Sequence, residues 1–176
     1  EYDVSYYQLN LSNPAFQALL EADLQEDEAV WGEMLASGPS LLRHNYTLEN
    51  LKEYREDIVQ NYCQDVILSE GVKAYLADAL GEYESDYQKL KAIETLLDSY
   101  HYTNMPGKIP GRVKTQEDFL DYFLLESREG FCSHFATAFV LLARAEGFPA
   151  RYVEGFMIPV TKERVMDVSS SRAHAW

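Results

Sequence analysis

The 176-residue sequence holds 15 lysines and arginines against 29 aspartates and glutamates, a net charge of −14 at pH 7. That balance argues against nucleic acid or an anionic membrane surface as partner, since both need a basic face, and it permits a cationic substrate without requiring one. At 47% hydrophobic and 13% aromatic residues the chain is globular, with no run of 18 apolar residues and no signal-peptide layout.

The first half reads as helices. Ser12-Asn13-Pro14 is a cap followed by proline at the first helical position, leading into Phe16, Leu19 and Leu20. An acidic run, Leu24 to Glu28, feeds Val30, Trp31, Met34 and Leu35, and Gly38-Pro39 ends that element. Thr47 and Asn50 open a long segment with Leu48, Leu51, Tyr54, Ile58, Tyr62 and Val66 at three- and four-residue spacing. Ser69 caps a further helix through Val72, Tyr75, Leu76 and Leu80, ending near Gly81. Ser85-Asp86 starts another, with Tyr87, Leu90, Ile93, Leu97 and Tyr100 on one face.

Residues 101–114, rich in proline and glycine, are expected to form a loop. Thr115 to Asp118 is a capping box ahead of Phe119, Leu120, Tyr122, Phe123 and Leu124. Cys132 to Glu146 follows as an apolar helix, with Gly147 just past its end and Pro149 beyond. The texture then changes. Residues 151–159 look like a strand, residues 164–168 like its hairpin partner, and Ala173-His174-Ala175-Trp176 like the start of a third. Helices first and strands afterwards predict an α+β fold. The expected division is a helical N-terminal region, 1–84, and a core, 85–176.

Two cysteines, Cys63 and Cys132, make no disulfide framework. Cys63 lies among helical apolar neighbours and reads as a small buried hydrophobe. Cys132 sits differently, just after Gly130-Phe131 and at the tip of an apolar helix. The thiolate, not the thiol, attacks carbonyl carbon. Unpaired N–H groups and the positive dipole end at a helix start favour that charged form. The Cys132 backbone N–H is also placed to face a developing oxyanion.

A histidine within reach would complete an activated pair, and the chain has four. His44 and His101 read as surface residues. His134, two positions after the cysteine, points to a different side of the helix. His174, flanked by small alanines on a strand, can reach the helix tip. On spacing alone, a chance cysteine and a chance histidine remain the competing explanation.

Gly130-Phe131-Cys132-Ser133-His134-Phe135-Ala136, then Leu142 to Arg151, then Gly155-Phe156, then Ala173-His174-Ala175-Trp176 closely resemble the bacterial transglutaminase-like superfamily over residues 85–176. The resemblance implies a papain-like core, a cysteine-bearing central helix packed on an antiparallel sheet that carries the histidine and an acid. Cys132 then carries over as nucleophile and His174 as general base and acid. The third triad member is expected on the strand after Trp176, outside this sequence, and Asp167 does not take its place. On that basis the chain alone is expected to be impaired. Ser133 stands where glutamate is common and Phe148 where isoleucine is frequent. Arg144 and Arg151 are expected to tie the helix end to the strand rather than touch substrate.

The resemblance further implies an acyl-enzyme formed from a glutamine-type or peptide amide, with no cofactor and no metal. The acyl group passes to an amine in a transglutaminase, or to water in a cysteine protease or amidase. The implied partner is a protein or peptide substrate, such as one of the cell envelope. The setting is the extracellular face of a bacterial membrane, within a larger anchored protein. Two rivals stand beside this reading: a non-catalytic interaction module that keeps the fold, and an acidic helical half that binds a basic partner.

Overall fold

The computed structural model describes residues 12–14, 17–18, 28–37, 46–158 and 166–176. The expected apolar positions Phe16, Leu19 and Leu20, most of the acidic run, the Gly38-Pro39 stop, His44, Pro159, Arg164 and Val165 lie outside them.

Among the described residues, six α-helices and four short strands make up the frame of the site. Helix α1 spans Glu28–Ser37, α2 Leu48–Tyr62, α3 Glu70–Leu80 and α4 Asp86–Asp98. Their starts follow local chemistry. Thr47 and Asn50 form a reciprocal capping box, and the hydroxyls of Ser69 and Ser85 accept the N–H groups of Val72 and Gln88. Gly81, at φ +55°, ends α3 in a conformation that glycine adopts at no steric cost. Helix α2 stops at Tyr62 rather than running on to Val66. Cys63 leaves helical geometry there, and the freed Tyr62 carbonyl accepts the Ala150 N–H at 2.9 Å. Cys63 is half-buried rather than buried, and its thiol donates to the Gly147 carbonyl at 3.2 Å.

The segment expected to be wholly loop opens with a strand, β1, His101–Tyr102. It pairs in parallel with β2, Glu129–Gly130, placing Tyr102 opposite Gly130. Between them, Thr115 and Asp118 form the expected capping box of α5, Gln116–Leu120. The helix widens into a π-helical stretch over Asp121–Ser127, which Arg128 closes at φ +49°. Helix α6, Cys132–Ala145, then begins two residues after β2, and Gly147 follows it at φ +85°.

The core lies where α3, α4, the π-helical stretch and α6 meet. Val72, Ile93, Leu120, Phe123, Leu124 and Leu142 are completely or almost completely buried there. Burying each such side chain contributes roughly 1.5–3 kcal/mol. Phe123 is the hub. Its ring stacks on Phe119, meets Tyr100 and Phe135 edge-on, and lies 5.9 Å from the ring of His134.

The second sheet corrects the expected hairpin. Strand β3 covers Glu154–Phe156, shorter than 151–159, and pairs antiparallel with β4, Ala173–Ala175. Residues 166–168 are not strand. The 173–175 segment takes the pairing expected of residues 164–168, because a 3-10 turn over Ser170–Arg172, capped by the Ser169 hydroxyl, returns the chain beside β3. The result is an α+β fold in which the tip of one buried helix faces a small antiparallel sheet.

Candidate active site

Cys132 is the first residue of α6, and its start is unusual. The residue at the N-cap is Phe131, whose side chain has no oxygen to accept the first-turn N–H groups. A serine or aspartate there would contribute about 1 kcal/mol to helix stability by occupying them. With phenylalanine, the His134 N–H turns to the Phe131 carbonyl at 2.8 Å and the Cys132 N–H to a group outside the helix. The Cys132 N–H donates to the Tyr102 hydroxyl at 3.3 Å. The thiol is half-buried and free.

His174 occupies the middle of β4, opposite Gly155. Its ring meets Trp176 edge-on, with centroids 5.1 Å apart. A Cβ at Gly155 would come within 3.2 Å of the Trp176 ring, so the missing side chain makes room for the indole. Cys132 and His174 line one open cleft of about 990 Å³, together with Tyr102, Tyr152, Glu154 and Arg172. Both residues expected from the sequence therefore face the same space.

Two further groups in the cleft were not singled out from the sequence. The Tyr152 hydroxyl donates to Glu154 Oε1 at 2.7 Å. That bond is the main reason its acidity is weakened, to a pKa of about 12, and burial, the Glu154 charge and a thiolate at Cys132 act in the same sense. Tyr152 thus stays protonated at any physiological pH. Tyr102 owes its place to strand pairing, which leaves no periodic trace in a two-residue element.

The other histidines have other surroundings. His101 is exposed. His134 is buried against the rings of Phe119, Phe123 and Phe131, and its Nδ1 accepts the Phe131 N–H at 3.4 Å. That bond keeps Nδ1 unprotonated in the neutral ring. Burial holds its pKa below the usual 6.5. The unfolded chain therefore takes up this proton first as pH falls, so stability is intact above about 6.5 and declines below it. Urea midpoints of the wild-type protein are expected to fall between pH 7 and pH 5, and more steeply than those of His134→Gln. Equal slopes would remove His134 from the acid response.

Arg144 and Arg151 act as ties. The Arg144 Nε donates to the Ala150 carbonyl at 2.8 Å, and the Arg151 guanidinium lies over the Tyr62 ring at 5.8 Å. Among the described residues, no group of three His, Cys, Asp or Glu side chains is placed to hold a metal ion. Asp167 is exposed and is not among the residues lining the cleft. Among those same residues, no helix is long and apolar enough to cross a membrane.

An apolar helix with a free thiol at its tip, facing a histidine-bearing strand across a cleft, defines a papain-like arrangement. The chain belongs to the transglutaminase-like superfamily, whose family model matches residues 73–176. It is 28% identical over 164 residues to the uncharacterized protein YebA of Bacillus subtilis, covering 82% of this chain and 22% of that protein. It is 48% identical over 81 residues to a protein-glutamine gamma-glutamyltransferase of Pseudomonas aeruginosa, covering 46% of this chain and 12% of that one. The periplasmic domain of TgpA from Pseudomonas aeruginosa shares the fold at a TM-score of 0.53 and 23% identity, over 69% of this chain and 42% of that domain. The chain thus spans less than a quarter of either of these full-length relatives.

Proposed function

We propose that the chain carries a thiol acyltransferase site that acts on glutamine carboxamides. Cys132 Sγ attacks the carboxamide carbon, forming an S–C bond. His174 takes the thiol proton and passes it to the nitrogen as the C–N bond breaks and ammonia leaves. A primary amine then attacks the thioester, its proton returns through His174, and the S–C bond breaks. The balance is one carboxamide and one amine in, one substituted amide and one ammonia out.

The observation that supports this most directly is that Cys132 and His174, on separate elements, line one cleft. The similarity to the glutamyltransferase favours glutamine over other amides. A substrate protein or peptide of the cell envelope, and a place on the outer face of a bacterial membrane within an anchored protein, follow as parts of the same proposal. The relation to a periplasmic domain supports them.

Incubation of the longer anchored protein with a glutaminyl peptide and a fluorescent primary amine is expected to attach the amine to the peptide, with ammonia released in equal amount, and this chain alone is expected to do the same more slowly. Ammonia release without amine attachment would replace this reading with that of an amidase using the same groups. Neither product would overturn catalysis and leave the interaction module.

A further inference from the structure

We infer that Tyr102 is a catalytic residue, its hydroxyl being the second donor to the oxyanion formed when Cys132 attacks a carbonyl. The inference rests on the proposed role of Cys132 and adds a group that the sequence motif does not contain.

A thiolate attacking a carboxamide pushes the C=O electron pair onto oxygen. That oxygen must meet donors already in place, because a donor that has to reorient during the reaction loses much of its value. The Cys132 N–H is one donor, and in the structure it is occupied. It points at the Tyr102 hydroxyl, 3.3 Å away. A phenolic oxygen can accept that bond and still donate its own proton. Among the described residues nothing else accepts that proton. The position of the hydroxyl is therefore an image of where a carbonyl oxygen would approach. When substrate enters, its oxygen takes over the Cys132 N–H, and the displaced Tyr102 O–H donates to the same atom.

The placement is held from both ends. The Thr103 N–H donates to the Gly130 carbonyl at 2.8 Å and the His101 N–H to the Arg128 carbonyl at 3.0 Å, fixing β1 against the residues that lead into Cys132. The Tyr102 ring rests on Phe135, one turn into α6, with centroids 5.7 Å apart. The ring is nevertheless half exposed and lines the cleft, so the hydroxyl can yield to substrate without disturbing the core. Tyr102 buries little, and a purely structural role would account for its ring but not for the direction of its hydroxyl.

The test separates a reaction that makes an oxyanion from one that does not. Acylation of Cys132 by a p-nitrophenyl ester passes through a tetrahedral oxyanion; its alkylation by iodoacetamide is a direct displacement at saturated carbon. Tyr102→Phe keeps the ring on Phe135 and removes only the hydroxyl. Its acylation, read as the burst of p-nitrophenol, is expected to slow by about 10²-fold, with alkylation changed by less than about twofold. Unchanged acylation would overturn the assignment. Equal slowing of both reactions would also overturn it, making Tyr102 a support for the thiol. A Cys132→Ala variant that still gave the wild-type burst would instead remove Cys132 as the nucleophile, a result distinct from either of these.

Discussion

Cys132→Ala is expected to abolish amine transfer while leaving the protein folded, and His174→Gln to reduce it by several powers of ten. Loss of the nucleophile or of its base alone costs on the order of 10⁶ in kcat in the serine-triad enzymes where each has been removed. The same logic holds for a thiol site, with one difference. A thiolate is intrinsically more nucleophilic than an alcohol, so a cysteine that has lost its base retains more reactivity than a serine would. His174 must also protonate the departing nitrogen, and glutamine supplies a poor leaving group. The His174→Gln defect should therefore be large for a glutaminyl peptide and smaller for a p-nitrophenyl ester, whose leaving group needs no proton. The two variants separate by this comparison: Cys132→Ala fails on both donors, His174→Gln mainly on the amide. Cys132 is only half-buried and its Sγ is free, so its loss opens little cavity, and thermal unfolding should hardly move. His174 packs edge-on against Trp176, which is why glutamine is the better replacement than alanine. Amine transfer at the wild-type rate by either variant would refute its assigned role.

How much of this was legible beforehand depended on how local the determinant is. The caps at Thr47, Ser69, Ser85 and Thr115 each involve a hydroxyl and an N–H three residues away, so the sequence states them directly. Cys132 at a helix tip was legible for the same reason, and His174 because it lies in a short motif with its own texture. The pairing of β3 was not. Residues 164–168 and 173–176 have comparable strand character, and the choice between them is made by the turn at Ser170–Arg172 rather than by propensity. The π-helical stretch after Leu120 also left no sign, since one extra residue per turn depends on packing around Phe123. Tyr102 was hidden most completely. Its role comes from a two-residue parallel pairing between segments well separated in sequence, and proline and glycine beyond it make the region read as loop.

The same pairing makes Gly130 a tightly constrained point of the scaffold, and Gly130→Ala is expected to destabilise the protein by about 1–3 kcal/mol. A Cβ at Gly130 would lie 2.7 Å from His134 Cβ and 2.8 Å from its Cγ. These are not the ends of a flexible chain. The Cβ is fixed to the backbone of α6, and the imidazole is wedged against Phe119, Phe123 and Phe131. Gly130 cannot retreat either, because it is tied to β1 through the Thr103 N–H. The added methyl must therefore push β2 away from α6, and with it the strand that carries Tyr102. Gly155→Ala is the natural comparator. There the new Cβ would meet the outer edge of the Trp176 ring at 3.2 Å, and that ring is half exposed and able to swing outward. Urea unfolding should show the larger loss for Gly130→Ala. Acylation by the p-nitrophenyl ester should slow in that variant even under conditions where it remains folded, because the methyl displaces the hydroxyl that faces the Cys132 N–H. A Gly130→Ala protein as stable as wild type would mean that β2 and α6 can separate freely, and the fixed placement of Tyr102 would fall with it.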